Sequence, residues 1–266
     1  RFELHVPSLL DMLGIPYSGA GPQCLAYCYD KSLVRGISKE LDIPVAKGFF
    51  LKPNDNTMEL NLAFPVIVKP NFGDSSVGIT QKSVCYTPEE LLNAVTDIRS
   101  RFGYCNSILV EEFLIGADLS LGVIGNPEEN VIILPITEED YSEVPEDLPR
   151  ICGYEAKWDP NSPYWKIKSV PADLSEETKQ IIIDCSLKLF TRLECRDYAR
   201  FDWRLNKHGE PKLLEVNPNP GWCWDGHLAK MAKFANLDYH QMLEKILEAA
   251  ELRIAHQKLA PSSDHN

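Results

Sequence analysis

Residues 198 to 221 gather the side-chain types that hold a divalent cation against phosphate: Arg200 and Asp202 in Tyr-Ala-Arg-Phe-Asp-Trp-Arg-Leu, then Glu215 and Asn217 in Lys-Leu-Leu-Glu-Val-Asn-Pro-Asn-Pro-Gly. Both segments alternate as half-buried strands do, and Asn206, Lys207, His208 and Gly209 between them are turn residues, so a β-hairpin is expected. Side chains two apart on a strand share a face, which pairs Arg200 with Asp202 and Glu215 with Asn217. If the register sets both pairs on one side, two carboxylates, an amide oxygen and a guanidinium meet across neighbouring strands. Magnesium takes oxygen ligands, keeps several waters, and is usually held by one or two carboxylates plus phosphate. Asp202, Glu215 and Asn217 fit that description, and Arg200 would stabilise charge on a transferring phosphoryl group. Either pair alone reads as ordinary surface charge; the two together, followed by Pro-Asn-Pro-Gly, read as a site.

Further phosphate-binding candidates lie upstream. Gly73-Asp-Ser-Ser-Val-Gly78 lets backbone N–H groups approach an anion, with hydroxyls as extra donors. No Gly-Lys-Ser/Thr opens a helix there, so it is not a Walker loop, and by itself it could equally be a plain hairpin turn. Lys69 supplies a cation nearby, and Lys31 and Lys157 could add more. Adenine needs an apolar slot and backbone hydrogen bonds from a connector between lobes. Glu111-Glu-Phe-Leu114 offers both, and Asp118 is suited to accept from ribose hydroxyls.

The elements that must position these residues follow from pattern and caps. An amphipathic helix is expected over 7–13, a strand over 14–19, and one helix from Pro22 to Leu41. Strands are expected over 47–51, 64–69, 79–84 and 108–113. Thr87-Pro-Glu-Glu90 reads as a capping box opening a helix to about Ser100. After Gly116, a strand pair spans 119–124 and 131–135. Residues 137–173 read as a long polar loop, functional or mobile. Ser175 caps a helix to about Leu193, and Asp238 opens the last helix.

The chain has 266 residues and a net charge of −12, from 27 basic and 39 acidic side chains. That argues against a nucleic-acid or anionic-membrane surface, so an anionic ligand would need a local basic pocket. No apolar run approaches the ~20 residues of a membrane span, and the opening residues are not a signal peptide, which suggests a cytoplasmic protein. Eight cysteines, at 24, 28, 85, 105, 152, 185, 195 and 223, show no zinc-finger spacing and read as thiols of a reducing compartment. Cys24 and Cys28 could share a helix face, but metal binding there lacks partners.

The order of lysines, glycine–serine loop, connector, acid, Arg-x-Asp and Glu-x-Asn resembles the ATP-grasp carboxylate–amine ligases, and within them the D-alanine–D-alanine ligases. The resemblance runs from about Leu9 to Ile254 through Leu13-Gly-Ile-Pro-Tyr17, Asp30-Lys31, Val66-Ile-Val-Lys-Pro70, Ser75-Ser-Val-Gly-Ile79, Tyr154-Glu-Ala-Lys157, Arg200-Phe-Asp202 and Leu214-Glu-Val-Asn-Pro218. It implies an α+β ATP-grasp fold whose two α+β lobes clamp ATP. The boundaries it suggests are 1–27 for the remnant of an N-terminal lobe, 28–113 for the small lobe, 114–255 for the large lobe and 256–266 for a polar tail. By resemblance Lys31, Lys69 and Lys157 contact phosphates, and the loop with Ser75, Ser76 and Val77 closes over them. Glu111, Phe113, Leu114 and Leu214 frame the nucleotide, Asp118 takes the ribose, and Asp202, Glu215 and Asn217 hold magnesium, or manganese in its place. Arg200, Ser75 and Gly221 are the expected catalytic residues.

This sequence also departs from the family pattern. By the resemblance, these residues are expected to start after the lobe that usually precedes them, Trp158 stands where a tyrosine is common, and Trp222-Cys-Trp-Asp-Gly-His227 replaces a small, hydroxyl-rich segment that holds the acceptor's carboxylate. That segment is either packing or an acceptor pocket built from Trp158, Trp222, Asp225 and His227. Cys223 is not expected to be a nucleophile, because phosphate is the activating group. Three functions remain open: a D-alanine–D-alanine-like ligase, the same chemistry on another amino acid or natural-product acceptor, and nucleotide binding without turnover. Expected partners are small-molecule amino-acid or carboxylate substrates, with no nucleic acid and no membrane, and either a homodimer or a chain supplying the missing lobe.

Overall fold

The computed structural model describes residues 3–53, 55, 61–73, 76–103, 107–127 and 129–259, with residues 258 and 259 described by backbone alone. Helix α1 (His5–Met12) is followed by α2 (Pro22–Tyr29) and α3 (Lys31–Glu40). The single helix expected over 22–41 is therefore two, because Asp30 takes an extended backbone (φ −99°, ψ 99°) and caps α3, its carboxylate accepting from Leu33 N–H. The strand expected over 14–19 does not form. Gly14 turns the chain at φ +63°, and residues 17–19 spend their polar groups on side chains: Arg253 donates to Tyr17 O, Arg196 to Gly19 O, and Gly19 N–H to Asp197.

A four-stranded antiparallel sheet is built from β1 (Gly48–Leu51), β2 (Val66–Pro70), β3 (Val84–Cys85) and β4 (Ile108–Glu112), in the order β1-β4-β2-β3. The strand expected over 79–84 is mostly a 3₁₀ turn, Gln81–Ser83, capped by Thr80. Helix α4 (Pro88–Phe102) starts at Thr87, whose hydroxyl accepts from Glu90 N–H, and it packs Leu91, Val95 and Ile98 against Leu51, Val66, Val68 and Val110. Each such aliphatic side chain contributes roughly 1.5–3 kcal/mol on burial.

The second sheet holds β5 (Asp118–Ile124), β6 (Ile132–Ile133), β7 (Thr137–Asp140), β8 (Lys168–Pro171), β9 (Tyr198–Leu205) and β10 (Pro211–Asn217), ordered β10-β9-β5-β7-β8 with β6 also on β5. Residues 137–173, expected as a loop, thus contribute a strand pair, β7 with β8, and the short helix α5 (Tyr154–Trp158). Helix α6 (Glu176–Arg192), capped by Ser175, buries Ile182, Leu189 and Phe190 against Phe201 and Trp203. Cys24, Cys28, Val34 and Ile43, in and just after α2 and α3, join that same core. Helix α7 (His227–Phe234) and α8 (Tyr239–Leu259) pack together around Ile124, Tyr198, Met231, Met242 and Ile246. Helix α8 continues into the stretch expected to be tail, of which 260–266 lie outside the described residues. Among the described residues no helix is long and apolar enough to cross a membrane.

Candidate active site

The hairpin forms as expected, but its register contains an irregularity on which the site depends. Leu213 pairs with Trp203, whereas Glu215 pairs with Asp202 and Asn217 with Arg200, so Leu214 is the extra residue of a β-bulge. Leu213 and Val216 are buried in the core, at 2 % and 3 % exposure. With strict alternation between them, Glu215 would follow the core face; the bulge turns Leu214, Glu215 and Asn217 to the other side.

Register then lays charged and polar side chains in rows across the sheet, since directly opposed residues of antiparallel strands share a face. One row is Asn217, Arg200 and Gly122, the next is Glu215, Asp202, Ser120 and Thr137, and a third carries Arg204 and Asp118. Arg200 grips Asp202 through two hydrogen bonds of 2.8 and 2.9 Å, and Ser120 donates to the same carboxylate at 2.7 Å. Burial alone would raise the Asp202 pKa, but the Arg200 charge and these hydrogen bonds outweigh it and hold the carboxyl below its ordinary value. Gly122 lets α7 settle on the strand, because a Cβ there would come within 2.8 Å of Leu228. His227, the first residue of α7, is thereby brought over the row.

These rows form one wall of a cleft whose other wall comes from the four-stranded sheet. Lys31, Lys69, Lys157, Arg200, Asp202 and Glu215 all line it, with Phe113, Leu114, Leu214, Ile67 and Ile151 as its apolar portion. Lys31 donates to Gly73 O at 2.5 Å and lies 3.5 Å from Glu215. The Lys69 ammonium is ion-paired with Glu111, which also pairs with Arg35. Lys157 donates to the Ser76 hydroxyl at 2.9 Å, and Ser76 donates to Cys152 O, so the glycine–serine loop is stitched to the segment around α5. Gly78 sits at φ +83° with Pro70 and Phe102 too close for any Cβ. Val77 lines the cleft; Ser75 lies outside the described residues.

The acid intended for ribose, Asp118, accepts from Tyr141 at 2.8 Å and from Arg204 at 3.3 Å, and Arg204 lies over the Phe113 ring at 5.0 Å. Arg204 had a sequence signal, as the third member of Arg200-x-Asp202-x-Arg204. Ser120, Tyr141 and Glu139 had none, because only strand pairing brings them here. Glu139 accepts from Ser169 at 2.8 Å, and burial raises its pKa to about 7. His227 Nδ1 stands 3.5 Å from that carboxylate, and burial keeps the imidazole neutral by lowering its pKa well below the ordinary value.

The remaining sequence candidates are elsewhere. Asn217 and Gly221 border an adjoining cavity shared with Glu215 and Lys31, and the Asn217 side-chain oxygen accepts from Asn219 N–H. Trp158 and Trp224 are 58 % and 76 % exposed, and Asp225 is exposed. Trp222 leans on Tyr198, with ring centroids 5.3 Å apart. Among the segment 222–227, only His227 reaches the cleft.

Residues 37–248 match the family described as the D-ala D-ala ligase C-terminus. The chain is 31% identical over 243 residues to a D-alanine–D-alanine ligase of Halalkalibacterium halodurans, covering 90% of this chain and 74% of the relative. It is 30% identical to an uncharacterised protein of Sinorhizobium fredii, covering 94% and 70%. Its fold matches the Bacillus anthracis D-alanine–D-alanine ligase solved with ATP, at a TM-score of 0.73 and 24% identity, over 95% of this chain and 76% of that one. The chain therefore belongs to the D-alanine–D-alanine ligase family and has its ATP-grasp fold.

Proposed function

We propose that the protein is an ATP-dependent carboxylate–amine ligase that forms an amide or peptide bond through an acyl phosphate, releasing ADP and phosphate. The observation that carries this reading is the convergence of Lys31, Lys69, Lys157 and Arg200 with two carboxylates on one cleft of a chain whose net charge is −12. Cations concentrated there against the overall charge suit a polyanion. Phe113, Leu114 and Leu214 with Ile67 and Ile151 form a slot for the base, and Asp118 accepts from ribose hydroxyls. The three lysines neutralise phosphates, and Ser76 and Val77 donate across them. Asp202, Glu215 and Asn217 form an all-oxygen donor set suited to magnesium or manganese, which when bound would neutralise phosphate oxygens. Arg200, already oriented by Asp202, faces the developing charge and needs little reorganisation. Free thiols at the described cysteines support a cytoplasmic setting.

The acceptor we favour is an amine other than D-alanine: Glu139 and His227 stand 3.5 Å apart at the cleft wall, a polar pair suited to hydrogen-bonding an acceptor side chain.

The test is ADP release by the full natural chain with paired amino acids, D-alanine among them. The pair Glu215→Gln with Asn217→Ala should lower turnover at least ~100-fold while leaving the fold intact. Unchanged activity in that folded variant would sink the metal assignment. Efficient turnover with D-alanine alone would overturn the acceptor and leave the ligase standing. Tight ATP binding without ADP release for any pair would point instead to a nucleotide-binding protein.

A further inference from the structure

Three thiols converge behind the hairpin, away from the cleft. Cys24 and Cys28 are one turn apart on α2, on the same helix face, and Cys195 comes from the turn between α6 and β9. The Cys24 and Cys195 sulfurs are 3.7 Å apart, although the residues are 171 positions apart in sequence. All three Sγ atoms lie within 4.8 Å of one another, and all three side chains are buried. Buried cysteines usually act as small apolar side chains, and they then have no reason to aim their sulfurs at a common point. The third partner that the α2 pair lacks in the sequence is supplied here by folding.

We infer that Cys24, Cys28 and Cys195 form a thiolate site for a soft divalent cation of the zinc class. Thiolates bound to tetrahedral zinc at about 2.3 Å lie about 3.8 Å apart, close to the 3.7 Å between the Cys24 and Cys195 sulfurs. Among the described residues no other His, Cys, Asp or Glu joins the group, so water takes the fourth position. Its path is the cavity bordered by Cys28, Tyr29, Lys31, Asn217 and Gly221. Charge selects the ion's valence: three thiolates and a divalent ion leave one negative charge, which Arg196, the neighbour of Cys195, offsets. A monovalent ion would leave two negative charges in an apolar core.

Binding releases the protons of the thiols to solvent, while the ion sheds water and three metal–sulfur bonds form. The bound ion ties α2 to the turn that feeds β9, the strand carrying Arg200 and Asp202. The site acts as a structural staple.

The experiment titrates the reduced chain with Cd²⁺ in excess Mg²⁺, which keeps the carboxylate site occupied, and follows the ultraviolet thiolate-to-cadmium band. The expected result is one Cd²⁺ per chain and, with Zn²⁺ at about a hundredfold excess over Kd, a Tm rise of roughly 5–10 °C. Both should be lost in Cys24→Ala and in Cys195→Ala. No band, or a band undiminished in these folded variants, would overturn the site. If the variants do not fold, X-ray absorption at the zinc edge of the wild-type chain decides: three sulfur neighbours support the site, and one or none overturns it. A Cys24–Cys195 disulfide whose reduction yields no cadmium binding would also overturn it.

Discussion

Asp197 and Asp202 are each clamped by an arginine through two hydrogen bonds of 2.8 to 2.9 Å, Asp197 by Arg253 and Asp202 by Arg200. The regions around them are opposite in character. Asp197 is fully buried, and its other contacts come from Gly19 N–H and the Asn126 amide, so helix α8, the turn before β9 and the segment after α1 are locked together. Asp202 borders the cleft, where Arg204 Nε and His227 Nδ1 are buried without hydrogen-bond partners. A bidentate Asp–Arg pair is therefore no sign of function by itself. Arg196 Nη2 at the hub is unpartnered as well, so what separates a hub from a site is access: Asp202 lines the cleft beside Lys157 and Glu215, whereas both Asp197 oxygens are spent inside the fold.

The hub is the more sensitive of the two pairs to loss of its carboxylate. Asp197→Ala strands Arg253 beside an apolar methyl, and urea unfolding should register a loss of about 3–5 kcal/mol. A loss below about 1 kcal/mol would mean that the hub carries no more than a surface pair.

In the cleft, Glu139 gives a pH signature. Its pKa is raised by burial from 4.5 to about 7, so the folded chain binds this proton more tightly than the unfolded chain. The resulting stability is complete below about pH 4.5 and is lost as pH rises through about 7, a swing of roughly 3 kcal/mol. Glu139→Gln stays neutral throughout, so its stability relative to wild type should improve from pH 4.5 to pH 8 by up to that amount. Parallel stability profiles for the two proteins would show that Glu139 is solvated.

The smallest expected effect separates a cleft cation from a surface one. Lys69→Ala should weaken ATP binding about tenfold, ~1.4 kcal/mol, since a desolvated cation facing phosphate is little screened. Lys168 is 68% exposed and paired with Glu143, and its replacement by alanine should change affinity by less than about twofold. Calorimetric titration of both variants measures the difference, and equal losses would remove Lys69 from the nucleotide site.

Much of the cleft was legible because its residues recur at the local spacings of a strand. Arg200-x-Asp202 and Glu215-x-Asn217 announce a shared face, and Thr87-Pro-Glu-Glu90 and Ser175 announce helix starts that the structure contains. Residues 137–173 were illegible for the converse reason: β7 and β8 are short and polar and are held only as successive additions to the sheet edge, β7 on β5 and β8 on β7, so nothing local marks them as strands.

The sequence by itself determined which atoms are available: oxygen donors on one hairpin, three lysines, a glycine–serine loop and the hydrophobic periodicities that make two sheets and their helices. Tertiary structure alone decided the facing of those atoms. Leu213-Leu214-Glu215-Val216 does not say which leucine is inside. Only the pairing of Leu213 with Trp203 before the bulge, and of Glu215 with Asp202 and Val216 with Phe201 after it, commits Leu213 and Val216 to the core and Glu215 to the cleft. The same holds for Cys195 meeting Cys24, and for His227 entering the cleft while Trp224 and Asp225 face solvent. Residue type and spacing are local properties, whereas register and burial depend on partners distant in the chain, and it is burial that sets both the charge state and the reach of each group.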